Sequence, residues 1–463
     1  MKLELPRLLL AAPASGSGKT TLTCALLHAL AARGERPAAF KCGPDYIDPM
    51  FHEAVTGVPA RNLDLFLLPE DTVRALLARG SAGRGVAVLE GVMGYYDGLG
   101  GDTLTASSFH LASATGTPAV LVLQCRGMSP LTAAALVRGI AAFREDSGVA
   151  AVVLNQLPPA SYPRMKEVLE RETALPVAGY LPPLPDCALE SRHLGLVSPG
   201  ELPGLRRKVE TLGAAALETL DLGLLMKLAR SAPPLEYEPL PRPEGLAEPV
   251  TVAVARDAAF SFYYRDALEL LEEMGARLCF FSPLEDRALP PGSRGLLLGG
   301  GYPELSARRL SENRPMLEAV RRAVAAGMPA IAECGGFLYL HRTLEDPEGT
   351  PWPMAGVIPG EARRGAKLRR FGYGTLTARE DGLLLRAGES IPAHSFHYWQ
   401  SGSGGEDFDF RKSDGRSWPE GWNGRNLYAG FPHFHLAGKP EAARRFLAAC
   451  AAFPGEAEKE MMA

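Results

Sequence analysis

Short runs of apolar residues alternate with amphipathic segments of helix length through the first half of the chain. Glycine, proline or charged residues bound each run, which is typical of strands buried on both faces of a parallel sheet. This pattern predicts an N-terminal α/β domain. The predicted strands are RLLLAAP, RPAAFKCG, GVAVLEGV, PAVLVLQC and VAAVVLNQ.

The alternation stops at residues 231–248. Their sequence, SAPPLEYEPLPRPEGLAE, is rich in proline and acidic residues and has no hydrophobic period. A segment of this composition is typical of a linker. We therefore expect the first domain to span residues 1–230.

The alternation resumes after the linker and predicts a second α/β domain over residues 249–453. Four apolar runs predict strands, VTVAVARD, RLCFFSP, RGLLLGGG and AIAECGG, and two amphipathic segments predict helices, YYRDALELLEEMGA and PMLEAVRRAVAAGMP. Gly275 ends the first of these helices. We expect the glycine-rich segment 401–424 to be an exposed loop and residues 454–463 to be a frayed tail.

Composition narrows the class of protein. The 463 residues carry a formal net charge of −4, with 46% hydrophobic and 22% charged residues. This balance gives no electrostatic footprint for nucleic acid or a membrane surface, so we expect small-molecule substrates. The seven cysteines are dispersed without a CxxC pair, which indicates reduced thiols in a cytoplasm rather than a zinc or disulfide framework.

The stretch PASGSGKTT at residues 13–21 lies between a predicted strand and a predicted helix. In that context it predicts a phosphate-binding loop, because backbone N–H groups and the helix N-terminus favour anions. Lys19 would neutralise phosphate charge and the Thr20 hydroxyl would bind Mg²⁺. Pro13 stands where the usual pattern has its first glycine. The predicted ATP-binding residues of the loop are Ser15, Gly16, Ser17, Gly18, Lys19, Thr20 and Thr21.

Acidic residues follow two of the predicted strands. Glu90 ends GVAVLEGV, and we expect it to be the carboxylate ligand of Mg²⁺ beside Thr20. A solvated carboxylate at the end of a strand is the alternative. Asp45, Asp48 and Asp97 would surround the same phosphoryl-transfer centre.

Two further polar residues end strands of the first domain. Lys41 lies in the second strand-to-loop segment and would face the γ-phosphate, with a salt bridge as the alternative role. Asn155 ends VVLN and would pair with the edge of adenine, although asparagine after a strand is often a turn residue. Both residues are predicted parts of the nucleotide and phosphoryl-transfer sites.

Cys334 lies between the strand AIAE and the helix GGFLYL. A residue at such a turn projects into the crevice at the carboxyl ends of the strands, and the helix N-terminus favours a thiolate. The alternative is a packed core cysteine. Two neighbouring features favour a nucleophile: the amides of GGGYPE, with Gly300 and Gly301, could hold an oxyanion, and YAGFPHFHLAG supplies a histidine base.

The stretches GGGYPEL, ECGGFLYL and the distal histidine segment resemble class I glutamine amidotransferases. Within that group, VAVARDAAFSFYY, GPDYIDP and LEGVMGYYDG resemble the cobyrinic acid a,c-diamide synthase family, over nearly the whole chain. The resemblance implies a P-loop domain related to dethiobiotin synthetase, fused to a flavodoxin-like α/β amidotransferase domain.

The resemblance also implies roles for single residues. Cys334 would be the nucleophile on glutamine and His433, in preference to His435, its general base. Typical class I enzymes carry His-Pro-Glu where this chain has His-Phe-His, so the usual orienting glutamate is missing, and whether Glu441 or another carboxylate replaces it stays open. The histidines of HSFHYW would be structural or face the substrate.

The implied activity is ATP- and glutamine-dependent amidation of the a and c acetate groups of cobyrinate or hydrogenobyrinate through acyl phosphates. A sister enzyme acting on nickel sirohydrochlorin, or on other corrin side chains, is one alternative. A P-loop ATPase switch with a degenerate amidotransferase module is another. Mg²⁺ and ATP are the expected cofactor and co-substrate, and a homodimer is an assembly that we leave open.

Overall fold

A computed structural model describes residues 1–189, 204–241 and 245–454. The chain divides into two compact units, Met1–Leu240 and Pro241–Ala463, which we call unit 1 and unit 2. The division falls within the segment predicted as a linker, whose exact bounds stay a prediction. Of the predicted tail, all but Pro454 lies outside the described residues.

Unit 1 is an α/β structure. Its described strands are β1 (Lys2–Leu3), β2 (Arg7–Ala11), β3 (Pro37–Cys42), β4 (Arg61–Leu63), β5 (Val86–Glu90), β6 (Ala119–Gln124), β7 (Val149–Asn155), β8 (Val177–Leu181) and β9 (Leu235–Glu236). Its described helices are α1 (Lys19–Ala32), α2 (Ile47–Thr56), α3 (Glu70–Gly80), α4 (Ser108–Thr115), α5 (Pro130–Ala142), α6 (Tyr162–Thr173), α7 (Leu205–Thr219) and α8 (Leu222–Arg230).

In the part of unit 1 that the structure describes, a parallel sheet has the strand order β4-β3-β5-β2-β6-β7-β8. The five strands predicted from the sequence are confirmed as β2, β3, β5, β6 and β7. Every residue of β2, β3 and β5 is buried, which explains why they are continuous apolar runs. The chain order reverses on the two sides of β2, and this topology opens a ligand crevice at the carboxyl ends of the strands.

The described part of unit 2 contains two sheets. Its described strands are β10 (Val250–Ala255), β11 (Ala276–Phe281), β12 (Gly295–Leu298), β13 (Ala330–Glu333), β14 (Thr343–Glu345), β15 (Pro351–Pro353), β16 (Glu361–Ala378), β17 (Ser390–Ser401), β18 (Phe408–Arg411), β19 (Ser417–Glu420), β20 (Trp422–Asn423), β21 (Leu427–Gly430) and β22 (His433–Phe434). Its described helices are α9 (Arg265–Glu273), α10 (Ala307–Glu312), α11 (Arg314–Ala325), α12 (Gly335–Tyr339) and α13 (Pro440–Ala452).

The first sheet of unit 2, over the described residues, has the order β11-β10-β12-β13-β21-β20. Its pairs are parallel except for the antiparallel edge pair of β20 and β21. The parallel part has the flavodoxin-like order 2-1-3-4-5, which confirms the predicted fold class. The predicted strands and helices of this domain are confirmed as β10, β11, β12, β13, α9 and α11, and Gly275, at φ 100°, follows the first helix.

The second sheet of unit 2 contains the long hairpin of β16 and β17, with β14, β15, β18, β19 and β22. The prediction of an exposed loop at residues 401–424 is wrong, because β18, β19 and β20 lie within it. Phe408 and Phe410 alternate into the core there, and Phe410 stacks on Trp418 at 5.0 Å. The surrounding glycines hide this short period of two in the sequence.

Within the part of the chain that the structure describes, no helix combines the length and the hydropathy that crossing a bilayer requires.

Candidate active sites

The loop between β2 and α1 is shaped by glycines and by one buried amide. Gly16 and Gly18 have φ values of 76° and 83°, a left-handed conformation that favours glycine. Asn155, at the end of β7, donates a hydrogen bond from Nδ2 to the Ser17 carbonyl at 2.9 Å. A Cβ on Gly18 would lie 2.1 Å from that Nδ2. Asn155 therefore holds the loop, and its predicted contact with adenine stays a prediction.

The remaining loop residues differ in exposure. Ser15 and Gly16 are exposed, whereas Ser17 is buried and donates from Oγ to the Ala14 carbonyl at 2.8 Å. Thr20 and Thr21 are half-buried in the first turn of α1. A bound phosphate would therefore contact the exposed backbone of Ser15 and Gly16.

Lys19 is buried beside the loop that follows β5. Its Nζ donates to the Met93 carbonyl at 2.6 Å, and Met93 has a φ of 47°. Burial and the nearby Lys41 ammonium lower the pKa of Lys19 to about 8. A phosphate bound at this position would therefore stabilise the charged form of Lys19.

The predicted acidic residues meet the loop at the start of α1. The Thr20 hydroxyl donates to Glu90 Oε1 at 2.7 Å and lies 3.3 Å from Asp48 Oδ1. Lys41 Nζ lies 2.9 Å from Glu90 Oε1 and 2.5 Å from Asp48 Oδ2. Four residues from three different chain segments thus form one buried polar cluster.

The opposite charges of Lys41 and Glu90 stabilise each other, whereas burial and the nearby carboxylates of Asp45 and Glu90 raise the pKa of Asp48 well above its usual value. Burial alone would raise the pKa of Glu90, but Lys41, His52 and Thr20 hold it well below its usual value. Burial alone would lower the pKa of Lys41, but Asp48 and Glu90 raise it. Glu90 is therefore a carboxylate and Lys41 an ammonium over the whole range of physiological pH.

Two of the predicted carboxylates shape the backbone around the cluster. Asp45 Oδ1 accepts hydrogen bonds from the amides of Ile47 and Asp48, at 2.7 and 2.9 Å, where α2 begins. Asp97 Oδ2 accepts one from the Gly94 amide at 2.7 Å. Both side chains have a positioning role here, and their contact with substrate stays a prediction.

His52 belongs to the cluster and was not predicted. Its Nε2 lies 2.7 Å from Glu90 Oε2, and the side chain is fully buried. The signal was present in GPDYIDPMFH, since residues four apart lie on one face of a helix and His52 follows Asp48 by four. His52 therefore orients the second oxygen of Glu90.

The oxygen atoms of Thr20 and Glu90 fit a magnesium ion. Mg²⁺ usually takes one or two protein oxygens and completes its shell with phosphate oxygens and water. A metal site built from protein side chains alone is not found in the described residues, which contain no group of three or more His, Cys, Asp and Glu side chains that could hold a metal. The arrangement therefore suits a metal that arrives with a nucleotide.

In unit 2, Cys334 forms the turn between β13 and α12. Its φ of 45° and ψ of −96° are rare for a residue with a side chain, and its amide donates to the Gly430 carbonyl at 2.8 Å. A Cβ on Gly336 would lie 2.1 Å from the Leu298 carbonyl oxygen, so only glycine lets the chain pass there. A strained turn of this kind typically marks a functional site.

His433, in β22, is the histidine that meets this cysteine. The imidazole forms a hydrogen bond with the Cys334 side chain, and its Nδ1 lies 3.2 Å from Glu333 Oε2. Burial disfavours the imidazolium, but the negative charges of the Cys334 thiolate and Glu333 raise the pKa of His433 to about 10. The neighbouring cysteine and glutamate therefore both favour the imidazolium form of His433.

His435 lies elsewhere, because alternate residues of an extended segment face opposite ways. Its ring stacks on Tyr264 at 4.7 Å, its Nδ1 accepts from the Ala437 amide, and burial lowers its pKa to about 3. Of the two histidines, the structure brings His433 to the cysteine.

Glu333 is, after His52, the second site residue that was not predicted from the sequence. It directly precedes Cys334 and ends β13. Glu441, the carboxylate considered for the orienting role, is exposed in the first turn of α13. A carboxylate adjacent to the cysteine was visible in AECGG, but the turn that carries it to His433 was not.

The predicted oxyanion residues pack closely around the cysteine and histidine. A Cβ on Gly300 would lie 2.7 Å from His433 Cε1, and one on Gly335 would lie 3.0 Å from the Gly301 amide nitrogen. The backbone of Gly300 and Gly301 therefore approaches both the base and the residue after Cys334. Donation to an oxyanion stays a prediction.

The histidines of HSFHYW occupy opposite faces of β17. His397 stacks on Phe431 at 3.6 Å, and its Nδ1 lies 2.6 Å from the Trp399 carbonyl. His394 is the cross-strand partner of His433. His397 thus packs in the core, whereas His394 lies beside the candidate site.

Comparison with protein families divides the chain in the same way as its two α/β units. A model of the "CobQ/CobB/MinD/ParA nucleotide binding domain" matches residues 8–197. A model of the "CobB/CobQ-like glutamine amidotransferase domain" matches residues 251–441. The first match supports nucleotide binding by unit 1, and the second supports a glutamine amidotransferase in unit 2.

Curated relatives match over both units. A cobyrinate a,c-diamide synthase of Salmonella typhimurium is 40% identical and covers 95% of this chain and 97% of its own. Those of Caldanaerobacter subterraneus and Dehalococcoides mccartyi are 39% and 37% identical, covering 95% and 96% of this chain and 97% and 98% of their own. A solved glutamine amidotransferase covers 43% of this chain at 20% identity and a TM-score of 0.31.

Proposed function

Since the chain belongs to the cobyrinate a,c-diamide synthase family, we propose that it amidates the a and c acetate groups of cobyrinate or hydrogenobyrinate, using ATP and glutamine. The observation that carries the proposal is the pairing of Cys334 with His433 in a chain that also holds a phosphate-binding loop. One centre makes ammonia and the other makes the electrophile that ammonia attacks.

Unit 1 activates the carboxylate. An acetate oxygen attacks the γ-phosphorus of ATP, ADP leaves, and an acyl phosphate forms, whose leaving group is phosphate instead of oxide. The loop amides and Lys19 bind the phosphates. Thr20 and Glu90 would hold Mg²⁺, which neutralises phosphate charge when bound. Lys41, Asp45, Asp48 and Asp97 would line the phosphoryl-transfer centre.

Unit 2 supplies the nitrogen. The Cys334 thiolate attacks the carboxamide carbon of glutamine, and His433 gives its proton to the departing nitrogen, so that ammonia leaves a γ-glutamyl thioester. His433 then takes a proton from water, which hydrolyses the thioester to glutamate and restores the thiolate. The amides of Gly300 and Gly301 would hold the oxyanion.

Ammonia completes the reaction by attacking the acyl carbon, and phosphate leaves. A second round on the other acetate gives the diamide. The intact pair of Cys334 and His433 disfavours the reading as an ATPase switch with a degenerate module. Location in the cytoplasm and assembly as a homodimer remain expectations, and light scattering of the purified chain tests the second.

Mass spectrometry of the products tests the proposal. The enzyme is incubated with ATP, Mg²⁺, glutamine and one macrocycle: cobyrinate, hydrogenobyrinate or nickel sirohydrochlorin. We expect two successive mass changes, each that of replacing OH by NH₂, on one of the first two. Conversion of nickel sirohydrochlorin alone would assign the chain to the sister reaction, and no conversion of any would overturn the proposal.

A further inference from the structure

The carboxylate that faces His433 comes from an unusual place in the chain. In the serine protease triad, a buried carboxylate on Nδ1 fixes the tautomer of the histidine and stabilises its imidazolium form. Here Glu333 Oε2 lies 3.2 Å from His433 Nδ1, while the same imidazole is hydrogen-bonded to Cys334. The three side chains are therefore in the order carboxylate, imidazole and thiol.

The backbone explains how one segment reaches both sides of the ring. Glu333 and Cys334 are adjacent, so in a continuing strand their side chains would point to opposite faces. The positive φ of Cys334 ends the strand at this point, and the Cys334 amide is anchored to the Gly430 carbonyl. The turn that presents the thiol thus also places the carboxylate.

We propose that Glu333 is the positioning residue of the glutaminase, the carboxylate that holds the His433 ring and stabilises its positive charge. The inference rests on the proposed glutaminase function and adds a residue to it. With Nδ1–H donated to Glu333, Nε2 is directed to Cys334, where it holds the proton that the departing ammonia takes.

Two histidines on the neighbouring strand and two tyrosines near Glu333 are uncharged at neutral pH. His394 and His397, on β17, have pKa values lowered to about 3 and about 4 by burial, so both are neutral above pH 5. Burial raises the pKa of Tyr263 and of Tyr428, which lie near Glu333, so both are neutral phenols. Among these groups, the charge that Glu333 stabilises is that of the His433 imidazolium.

The experiment compares Glu333→Gln with Glu441→Gln in the full chain. Glutamine hydrolysis, and diamide synthesis from added ammonium salt, are measured for each. We expect Glu333→Gln to lower kcat for glutamine by roughly 100-fold with little change in KM. This is less than the ~10⁴-fold effect in a serine protease, because a thiol needs less activation than a hydroxyl. Synthesis from ammonium should be unchanged, which shows that the variant is folded.

A second readout separates positioning from general damage. The carboxylate raises the pKa of His433, so its neutral replacement should move the alkaline limb of kcat/KM for glutamine to lower pH. The rate of Cys334 alkylation by iodoacetamide at neutral pH, followed on its peptide by mass spectrometry, should fall with the thiolate fraction. Glu333→Asp should restore part of both properties.

The outcomes are distinct. Unchanged hydrolysis and an unchanged pH profile in Glu333→Gln would overturn the inference, as would a loss of hydrolysis in Glu441→Gln alone. If Glu333→Gln lost synthesis from ammonium as well, the inference would depend on Glu333→Asp, which restores a carboxylate at this place. Glu333→Asp must then bring back the pH profile and the alkylation rate of Cys334, and the inference fails if it does not. If the unaltered protein released no ammonia from glutamine, the proposed function itself would fail.

Discussion

The Thr20 hydroxyl donates a hydrogen bond to Glu90 Oε1 at 2.7 Å, although the two residues lie 70 positions apart. Thr20 lies in the first turn of α1, after the phosphate-binding loop, and Glu90 ends the neighbouring strand β5. A hydroxyl and a carboxylate in direct contact beside such a loop fit the oxygen ligands that a nucleotide-bound Mg²⁺ usually takes from a protein.

Glu90→Gln removes the charge of this pair while preserving its shape. We expect ADP formation to fall by at least about 100-fold, as for other preorganised electrostatic groups, because the amide neither holds Mg²⁺ nor balances Lys41. Glutamine hydrolysis should be retained. Glu35→Gln, which alters a partly exposed ion pair with Arg230, is the control and should keep full ADP formation. Full ADP formation by Glu90→Gln would contradict the assignment.

His52→Gln tests the residue behind Glu90. The glutamine amide can still donate to Oε2, but without the fixed direction of the buried ring. We expect the Mg²⁺ concentration for half-maximal ADP formation to rise about 10- to 100-fold, the range for outer-shell partners of metal ligands. Saturating Mg²⁺ should restore most of the rate. An unchanged Mg²⁺ requirement would show that His52 serves folding alone.

Gly18→Ala and Gly34→Ala form a matched pair, since both glycines have left-handed backbone, at φ values of 83° and 79°. A Cβ on Gly34 meets no atom within 4 Å, whereas one on Gly18 overlaps the Asn155 amide. Both variants should lose about 1–2 kcal/mol of unfolding free energy for the backbone. Only Gly18→Ala should also lose ATP binding, measured by calorimetry. Equal ATP affinity in the two variants would refute this role of the Asn155 contact.

Cys334→Ala tests the division of labour between the two centres. Diamide synthesis from glutamine should be abolished, because no thioester can form, while synthesis from high concentrations of ammonium should persist. Product formation is measured by mass spectrometry with each nitrogen source. Cys279→Ala, at a half-buried thiol on β11, is the control and should keep both activities. Loss of both activities in a folded Cys334→Ala would contradict the scheme.

Much of this architecture could be predicted from the sequence, because local patterns encode it. Continuous apolar runs between helices identify parallel strands, and the glycine-rich turn before Lys19 identifies a phosphate loop. The strands within residues 401–424 were missed because they are short and glycines interrupt the segment. The position of Asn155 at the end of a strand predicts contact with adenine, which stays a prediction, whereas its hydrogen bond to the Ser17 carbonyl is not visible in the sequence.

The sequence by itself determined the two α/β units, and it predicted the nucleophile, the phosphate loop and the set of acidic residues, since each is written in contiguous residues. Only the tertiary structure decided which side chains act together. His433 rather than His435 meets Cys334, Glu333 rather than Glu441 faces that histidine, and His52 joins Glu90. The physical reason is that such pairings depend on strand register, on the direction of a side chain at a turn and on which segments the sheet brings together, and none of these is a local property of the chain.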